Sequence, residues 1–153
     1  MEIVEYSSNR AKEIADLFYE SVHSIDSSIY SEDQKQAWAP VPIDYIKWEV
    51  RLENKKPFLL LIKNELAGFI ELESDGHIDC AYVSPKFQRE GVATNLLNYV
   101  KSVAKNLGLD QLYVEASIVA KPFFSKNGFL VENKNQVSIN NMVLVNYSMR
   151  MEM

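Results

Sequence analysis

Residues 84–94 read Ser84-Pro85-Lys86-Phe87-Gln88-Arg89-Glu90-Gly91-Val92-Ala93-Thr94, and the last part has the form Gln/Arg-x-x-Gly-x-Gly/Ala. This segment follows a predicted strand and leads directly into a predicted amphipathic helix. Free backbone N–H groups at a helix start, together with the positive end of the helix dipole, favour a bound anion such as a pyrophosphate. Gly91 has no Cβ, so the chain can turn there and a phosphate can approach its backbone. Taken alone, the segment also fits an ordinary strand-to-helix connection with a permissive glycine.

The helix after this segment has the clearest pattern in the chain. Gly108 stands where a C′ glycine ends a helix. The strand before the segment is predicted at residues 77–83, after a turn at Ser74-Asp75-Gly76. The apolar residues of the helix are predicted to lie on one stripe: Val92, Leu96, Val100, Val103 and Leu107.

The N-terminal region predicts a strand and a first helix. Residues 3–6 suit a short strand, and Ser7-Ser8-Asn9 offers side chains that can cap a helix. The apolar face of that helix consists of Ala11, Ile14, Ala15, Phe18 and Val22.

Two further short helices are predicted before the next strand. Ser31 and Gln34 fit a capping box that opens a second helix. This helix must stop near Trp38, because the prolines at 40 and 42 disfavour helical geometry in the residues before them. Asp44 is a candidate cap for a third short helix, which has three apolar or aromatic residues on one side: Tyr45, Trp48 and Leu52.

Apolar runs between turn residues predict the remaining elements. Residues 58–62 form a buried-strand run, Asn64-Glu65 a hairpin turn, and residues 66–73 a further strand. Residues 112–116 predict a strand and residues 120–127 a short helix that stops at Gly128. The two last strands, 129–137 and 142–150, flank an Asn-rich turn. The predicted fold is α/β, with the order β-α-α-β-β-β-α-β-α-β-β and helices on the faces of a mixed sheet.

The composition of the chain limits the functions that it can have. The chain has 153 residues, 47% of them apolar, which suits one domain spanning residues 1–153. A net charge of −5 with no basic stripe makes nucleic acid an unlikely partner. The longest strongly apolar run, residues 58–62, is too short to cross a membrane, and the first residues show no secretory pattern. The single cysteine, Cys80, cannot form an internal disulfide, so a cytoplasmic location is predicted.

The order of elements and three sequence segments resemble the GNAT superfamily of acetyl-CoA-dependent N-acetyltransferases. The segments are Val83-Ser84-Pro85, the Gln88-Arg89-Glu90-Gly91-Val92-Ala93 loop, and Ala120-Lys121-Pro122-Phe123-Phe124-Ser125-Lys126-Asn127-Gly128-Phe129. The third is similar to the family's A-x-x-F-Y-x-K-x-G-F segment. The closing Asn146-Tyr147-Ser148-Met149 is similar to the end of one bacterial branch. The resemblance covers nearly the whole chain and implies a GNAT-like, mostly antiparallel central sheet.

The resemblance also implies a binding site for coenzyme A. The backbone amides of the 89–94 loop would hold the pyrophosphate, and the main chain at Val83 would pair with the pantetheine arm and polarise the thioester carbonyl. Ser117 replaces an Asn that contacts pantetheine in many members. The implied cofactor residues are Val83, Gln88, Arg89, Glu90, Gly91, Val92, Ala93, Thr94, Ser117, Phe124 and Lys126. Lys126 or Lys121 would meet outer phosphates, although a solvated helix face is the simpler interpretation of each lysine.

Acetylation of an amine requires a neutral nitrogen. An ammonium group with a pKa of about 10.4 is only about 0.04% neutral at pH 7, a gap of about 4.6 kcal/mol. His77 and Asp79 share one face of the strand before the loop and are the candidate bases, directly or through water. His77 also fits a polar residue at a strand start beside a turn.

The family's usual general acid is a tyrosine, and Phe124 occupies its position. Phenylalanine cannot donate a proton, so either Tyr82 reaches the sulfur or solvent protonates the departing thiolate. A covalent route through Cys80 is rejected, because a lone strand cysteine is usually a small buried hydrophobe.

The acceptor is predicted to lie between the early helices and the closing hairpin. Tyr30, Trp38 and Trp48 with Glu71 and Glu73 suit a cation, by cation–π contact and charge. Aromatic residues that merely cover the sheet are the alternative interpretation. The predicted substrate-binding residues are Tyr30, Trp38 and Glu71.

The sequence thus predicts a cytoplasmic enzyme that transfers an acetyl group from acetyl-CoA to a primary amine by direct transfer in a ternary complex. No metal, membrane or nucleic acid is expected. A non-catalytic acyl-CoA sensor and a structural subunit that binds no coenzyme A are the alternatives. By analogy, residues 142–147 are a possible homodimer interface.

Overall fold

Seven strands form one sheet in the computed structural model, which describes residues 1–153. The strands are β1 (Glu2–Glu5), β2 (Phe58–Ile62), β3 (Glu65–Leu72), β4 (His77–Val83), β5 (Gln111–Ser117), β6 (Leu130–Ile139) and β7 (Met142–Glu152). The helices are α1 (Ala11–His23), α2 (Glu32–Trp38), α3 (Tyr45–Lys55), α4 (Val92–Asn106) and α5 (Lys121–Lys126). The spatial order is β1-β2-β3-β4-β5-β7-β6, and only β4 and β5 are parallel. The prediction of a mixed, mostly antiparallel sheet flanked by helices is confirmed. None of the helices combines the length and apolarity needed to cross a membrane.

The early helices follow their predicted caps, with one exception. Ser31 and Gln34 form the capping box of α2, and the Asp44 carboxylate accepts the Lys47 N–H at the start of α3. Three helices therefore lie between β1 and β2, where the predicted order counted two. Residues 7–9 do not cap α1 with a side chain, because the chain passes through a short 3₁₀ turn at Ser8–Arg10 first.

Two local predictions were wrong by small shifts. The β2–β3 turn consists of Lys63 and Asn64, both with positive φ (50° and 66°), and Glu65 already belongs to β3. Two successive left-handed residues match the strand twist in a tight hairpin, which places the turn one residue earlier. Leu107 lies beyond the end of α4 and is 62% exposed, while Leu97 and Ala104, which the predicted stripe left out, are buried.

Helix α4 lies directly on the sheet at Gly68. A Cβ at Gly68 would lie 2.7 Å from Cγ1 of Val92 and 3.0 Å from the Tyr82 carbonyl oxygen. Only a glycine therefore permits this approach. The contact fixes the first turn of α4 against the end of β4, beside the predicted anion site.

The two faces of the sheet carry separate cores. A cluster of fifteen buried residues joins the sheet to α4 and α5, and a cluster of twelve joins it to the early helices. Between Ile70 and Leu72 the β3–β4 register shifts, so that Asp79 and Cys80 together oppose Glu71. Such a bulge bends its strand. β4 pairs with β5 only at His77–Tyr113 and Ile78–Val114, and beyond these pairs the two strands separate.

Candidate functional site

The separation of β4 and β5 opens a cleft of about 280 Å³ on the α4 side of the sheet, here called the α4-side cleft. Two cavities of about 640 and 200 Å³ lie on the opposite face, and we name them the α1-side cavities. Trp38 and Tyr82 line all three. A narrow space of about 70 Å³ between the strands, the throat, is lined by Asp79, Ala81, Tyr82, Glu115 and Ser117 among others. The strand gap therefore joins both faces of the sheet.

The main chain of Val83 points into the gap. Ser84 donates its N–H to the Ala67 carbonyl at 2.8 Å, so residues 84 and 67 are a hydrogen-bonded pair of the antiparallel ladder. Because such pairs alternate, the amide and carbonyl of Val83 face away from β3. The Ser21 hydroxyl donates to the Val83 carbonyl at 2.7 Å, which leaves the Val83 amide as the donor at this edge.

The loop before α4 presents a row of free amides. Gly91 is the N-cap of α4 with φ 80°, and Arg89 also has a positive φ of 63°. The first helical bond runs from the Asn95 N–H to the Gly91 carbonyl at 3.0 Å. None of the backbone N–H groups from Arg89 to Thr94 makes an intramolecular hydrogen bond. This geometry suits an anion with several oxygens.

The remaining predicted cofactor residues fall into three environments. Ser117 lines both the cleft and the throat, and its Oγ accepts the Ala120 N–H at 3.1 Å, which leaves its own hydrogen free to donate. Phe124 is buried and packs edge-on against Phe129, but it also lines the cleft. Lys126 is exposed at the end of α5 and lines none of the three cavities or the throat.

His77 lies at the paired end of β4, far from Val83. Six residues of strand separate the two, about 20 Å at the usual rise. Its Nδ1 lies 2.5 Å from Oε1 of Glu73 and its Nε2 lies 2.6 Å from Oε1 of Glu115. Burial alone would lower the pKa of His77, but the hydrogen bonds to both glutamates raise it above its ordinary value. Both ring nitrogens are engaged, which argues against direct proton transfer from a substrate to His77.

Asp79 lines the throat between two cations. Its Oδ2 lies 3.0 Å from Nη2 of Arg51 and 2.9 Å from Nζ of Lys55. Burial tends to raise the pKa of Asp79, but the hydrogen bond to Lys55 and the charge of Arg51 lower it overall. The carboxylate therefore stays ionised and is a weak base.

Glu71 and Tyr30 are committed to structural contacts. Glu71 is fully buried and its Oε1 lies 2.6 Å from Nη2 of Arg51. The Tyr30 hydroxyl donates to the Val145 carbonyl at 2.6 Å and accepts the Ile118 N–H at 2.9 Å. The other Glu71 oxygen, Oε2, has no hydrogen-bond partner but is buried, so neither side chain presents an accessible free polar atom to a substrate.

Tyr82 and Trp38 stand at the junction of the cavities. Their ring centroids are 6.4 Å apart, and the Tyr82 ring packs edge-on against Phe18 at 4.8 Å. Burial raises the pKa of Tyr82 well above its ordinary value, so the hydroxyl keeps its proton and can act as a donor. Burial likewise raises the pKa of Cys80, which disfavours a nucleophilic thiolate.

Sequence reasoning missed Arg51, Lys55 and Glu115. Arg51 and Lys55 lie four residues apart on α3, a spacing that places both on one helix face. Glu115 lies two residues before Ser117 on β5 and thus on the same face of that strand. These spacings were the available signal, but the bulge that brings Asp79 beside Arg51 is not visible in the sequence. No group of three or more His, Cys, Asp or Glu side chains is arranged to hold a metal ion.

Comparison with known proteins places this geometry in a family. The family model described as an acetyltransferase (GNAT) domain matches residues 26–151. YafP of Escherichia coli, an uncharacterised N-acetyltransferase, is 31% identical over 98% of this chain and 95% of its own length. A GCN5-related N-acetyltransferase from Rhodopseudomonas palustris superposes with a TM-score of 0.93 at 31% identity, over 99% of this chain and 95% of the other. The PaiA N-acetyltransferase from Thermoplasma acidophilum, solved with coenzyme A, superposes with a TM-score of 0.79 at 21% identity, over 99% of this chain and 98% of the other.

Proposed function

This chain belongs to the GNAT acetyltransferase family, and we propose that it transfers an acetyl group from acetyl-CoA to a primary amine by direct transfer in a ternary complex. One observation carries the proposal: an opened strand pair ends beside a row of unbonded amides at the start of α4. The first feature suits a strand-like pantetheine arm, and the second suits its pyrophosphate. Coenzyme A in the PaiA structure supports the same ligand here.

In the proposed complex, acetyl-CoA occupies the α4-side cleft. The amides of residues 89–94 hold the pyrophosphate, with Gln88, Arg89, Glu90 and Thr94 side chains around it. The Val83 amide pairs with pantetheine or polarises the thioester carbonyl, which stabilises the developing oxyanion. The Ser117 hydroxyl is a further donor. Phe124 supplies an apolar wall, and Lys126 is left for outer phosphates that extend beyond the cleft.

The acceptor amine is proposed to enter from the α1 side. Trp38 and the neighbouring aromatic side chains offer it apolar and cation–π contacts, and the ionised Asp79 attracts its ammonium form. Tyr30 and Glu71 shape this side through their contacts with other residues. The amine then meets the thioester in the throat, where both faces of the sheet join.

The departing thiolate needs a proton or a hydrogen-bond donor. Phe124 supplies neither, whereas Tyr82 lines the cleft and the throat and its hydroxyl keeps its proton. We propose Tyr82 as this donor. A thiol with a pKa near 8.5 also leaves readily as an anion, so the contribution of Tyr82 is expected to be modest.

The second candidate function is a non-catalytic acyl-CoA sensor, favoured by the buried Phe124. Isothermal titration with acetyl-CoA, followed by a thiol-release assay with alkylamines, arylamines, polyamines and peptides, separates the two. The enzyme binds acetyl-CoA and releases coenzyme A thiol only when an amine is present. A sensor binds without thiol release, and a structural subunit shows no heat of binding. The cytoplasmic location and the homodimer through residues 142–147 stay predictions, the latter testable by sedimentation.

A further inference from the structure

Six charged side chains and His77, which carries a charge when it is protonated, form a continuous chain of ion pairs across the α1 face of the sheet. Six contacts of 2.5 to 3.1 Å join neighbours of opposite charge. In order, the members are Glu71, Arg51, Asp79, Lys55, Glu73, His77 and Glu115. Each inner member touches two opposite charges, whereas each end touches one. The chain of ion pairs therefore ends in two carboxylates, Glu71 and Glu115, each of which has room for a further positive charge.

Only one of these ends is accessible. Glu71 is fully buried and lines none of the cavities described above. The Glu115 side chain is 44% exposed and lines the throat and the smaller α1-side cavity. Its Oε1 is held by His77, and its Oε2 has no intramolecular hydrogen bond. The open end of the chain is thus a carboxylate oxygen at the meeting point of the two faces.

The register of β5 sets the position of Glu115. Leu112, Val114 and Ala116 point into the α4-side core, so Glu115 and Ser117 point to the other face. Two residues of strand place Glu115 about 7 Å from Ser117, which lines the α4-side cleft. Asp79 is four residues from Val83, about 13 Å along β4. Asp79 is likewise only two residues from Ala81, which lines the cleft, so the two acids of the throat differ in their charged partners rather than in their position along the strands.

On this basis, and given the transferase activity proposed above, we propose that Glu115 takes the proton of the acceptor ammonium and that His77 positions it. The proton moves from the ammonium nitrogen to Oε2 of Glu115, and the freed lone pair attacks the thioester carbonyl. As the C–S bond breaks and the sulfur leaves as thiolate, the attacking nitrogen sheds its second proton to form the amide, and this proton passes to the thiolate, directly or through water, to give the free thiol. Glu115 then returns its proton to water, to which it is partly exposed. Its role is that of a general base.

The two other candidate bases are less suited to this step. His77 has both ring nitrogens bonded to glutamates, and Asp79 is held between Arg51 and Lys55. His77 instead fixes one oxygen of Glu115, which leaves the other directed to the throat. The groups that face His77 are Glu73, Asp75, Asp79, Glu115 and Tyr113, with Lys55 behind Glu73 and Arg150 over the Tyr113 ring.

The test compares two amines that share a ring. At pH 7 benzylamine is an ammonium ion, whereas aniline is already neutral and needs no proton removed before attack. Glu115→Gln should lower kcat/KM for benzylamine about 100-fold at pH 7, and the loss should shrink as pH rises. The kcat/KM for aniline should fall less than threefold, and the Kd of acetyl-CoA should not change. Glu132→Gln, the same change at an exposed site on β6, is the matched control.

His77→Gln tests the positioning role. It should shift the pH profile of kcat for benzylamine and cost less than Glu115→Gln. The double variant should be no slower than Glu115→Gln alone, because His77 acts only through Glu115. Acetyl-CoA titration of each variant checks that the fold and the cofactor side are intact.

The possible failures are distinguishable. If the wild-type protein releases no thiol with any amine, the proposed function fails and this inference falls with it. If the wild type is active and Glu115→Gln keeps full benzylamine activity, only the inference is overturned. Equal losses for benzylamine and aniline also overturn it, as does an amine-selective loss in Asp79→Asn that is absent from Glu115→Gln.

Discussion

The two faces of the strand gap use different parts of the chain. On the α4 side the free polar groups are mainly backbone amides, at Val83, which lines the cleft, and at residues 89–94 beside it. On the α1 side they are side chains, linked in a charged chain and surrounded by aromatic rings. A backbone site depends on where the chain turns, whereas a side-chain site depends on register. The first can be inferred from a motif, and the second needs the structure.

The largest expected effect comes from Gly68→Ala, which tests whether the α4 side rests on backbone packing. The added Cβ would lie 2.7 Å from Cγ1 of Val92 and must displace α4. We expect a loss of about 3 kcal/mol in the free energy of unfolding, measured by urea denaturation. Acetyl-CoA affinity should fall as well, because the start of α4 moves with the helix.

A second substitution checks the cause of this loss. Val92→Ala removes the clashing methyl groups, so Gly68→Ala combined with Val92→Ala should lose less than the sum of the two single variants. Simple additivity would show that the Gly68 contact does not position α4.

The next largest loss of stability is expected on the α1 side, from Tyr30→Phe. The Tyr30 hydroxyl lies between the Ile118 N–H and the Val145 carbonyl, just beyond the last β5–β7 pair at Ser117 and Asn146. Removing it leaves both backbone groups unpaired, with an expected loss of about 2 kcal/mol by urea denaturation. Tyr99→Phe is the control, since the Tyr99 hydroxyl makes no intramolecular hydrogen bond. An unchanged stability would mean that β5 and β7 simply close on each other.

Tyr30 also shows where sequence reasoning stops. Its aromatic character suggested a substrate contact, but the structure commits its hydroxyl to two strands far apart in sequence. The charge of Glu71 likewise suggests a contact with a cationic substrate, but its side chain is buried against Arg51. In both cases the sequence gives the residue type, and only the tertiary structure gives its partner. His77 was placed on the correct face, but the extent of β4–β5 pairing, which leaves it far from the gap, has no local signal.

The α4 side, by contrast, was largely predictable. Gly91, the apolar stripe that begins at Val92 and the C′ glycine at Gly108 are local features, and the structure has each of them in the expected place. These local features suffice to predict this side because the groups that they expose are backbone amides, which do not depend on the identity of the side chain. The exception was a side chain: Leu107 is exposed beyond the end of α4.

Gly91→Ala separates backbone geometry from stability on this side. Gly91 and Gly108 have φ of 80° and 73°, and no heavy atom lies closer than 3.5 Å to an added Cβ at either position. Both Ala variants should therefore lose about 1 kcal/mol of stability through left-handed strain. Only Gly91→Ala should weaken the binding of acetyl-CoA. We expect its Kd to rise about tenfold, or about 1.4 kcal/mol, as measured by titration calorimetry. Equal affinities in the two variants would exclude the 89–94 amides as the pyrophosphate site.

The smallest expected effect is a pH dependence that belongs to the α1 side alone. Because the pKa of His77 is raised in the folded state, its contribution to stability is complete below the ordinary histidine pKa of about 6.5. The contribution is lost as pH rises through the higher folded value. Urea midpoints of the wild type should therefore decline over this range more steeply than those of His77→Gln. Acetyl-CoA affinity should not follow this decline, because the backbone amides proposed to hold the pyrophosphate do not titrate. A parallel decline would show that the two faces are coupled through β4.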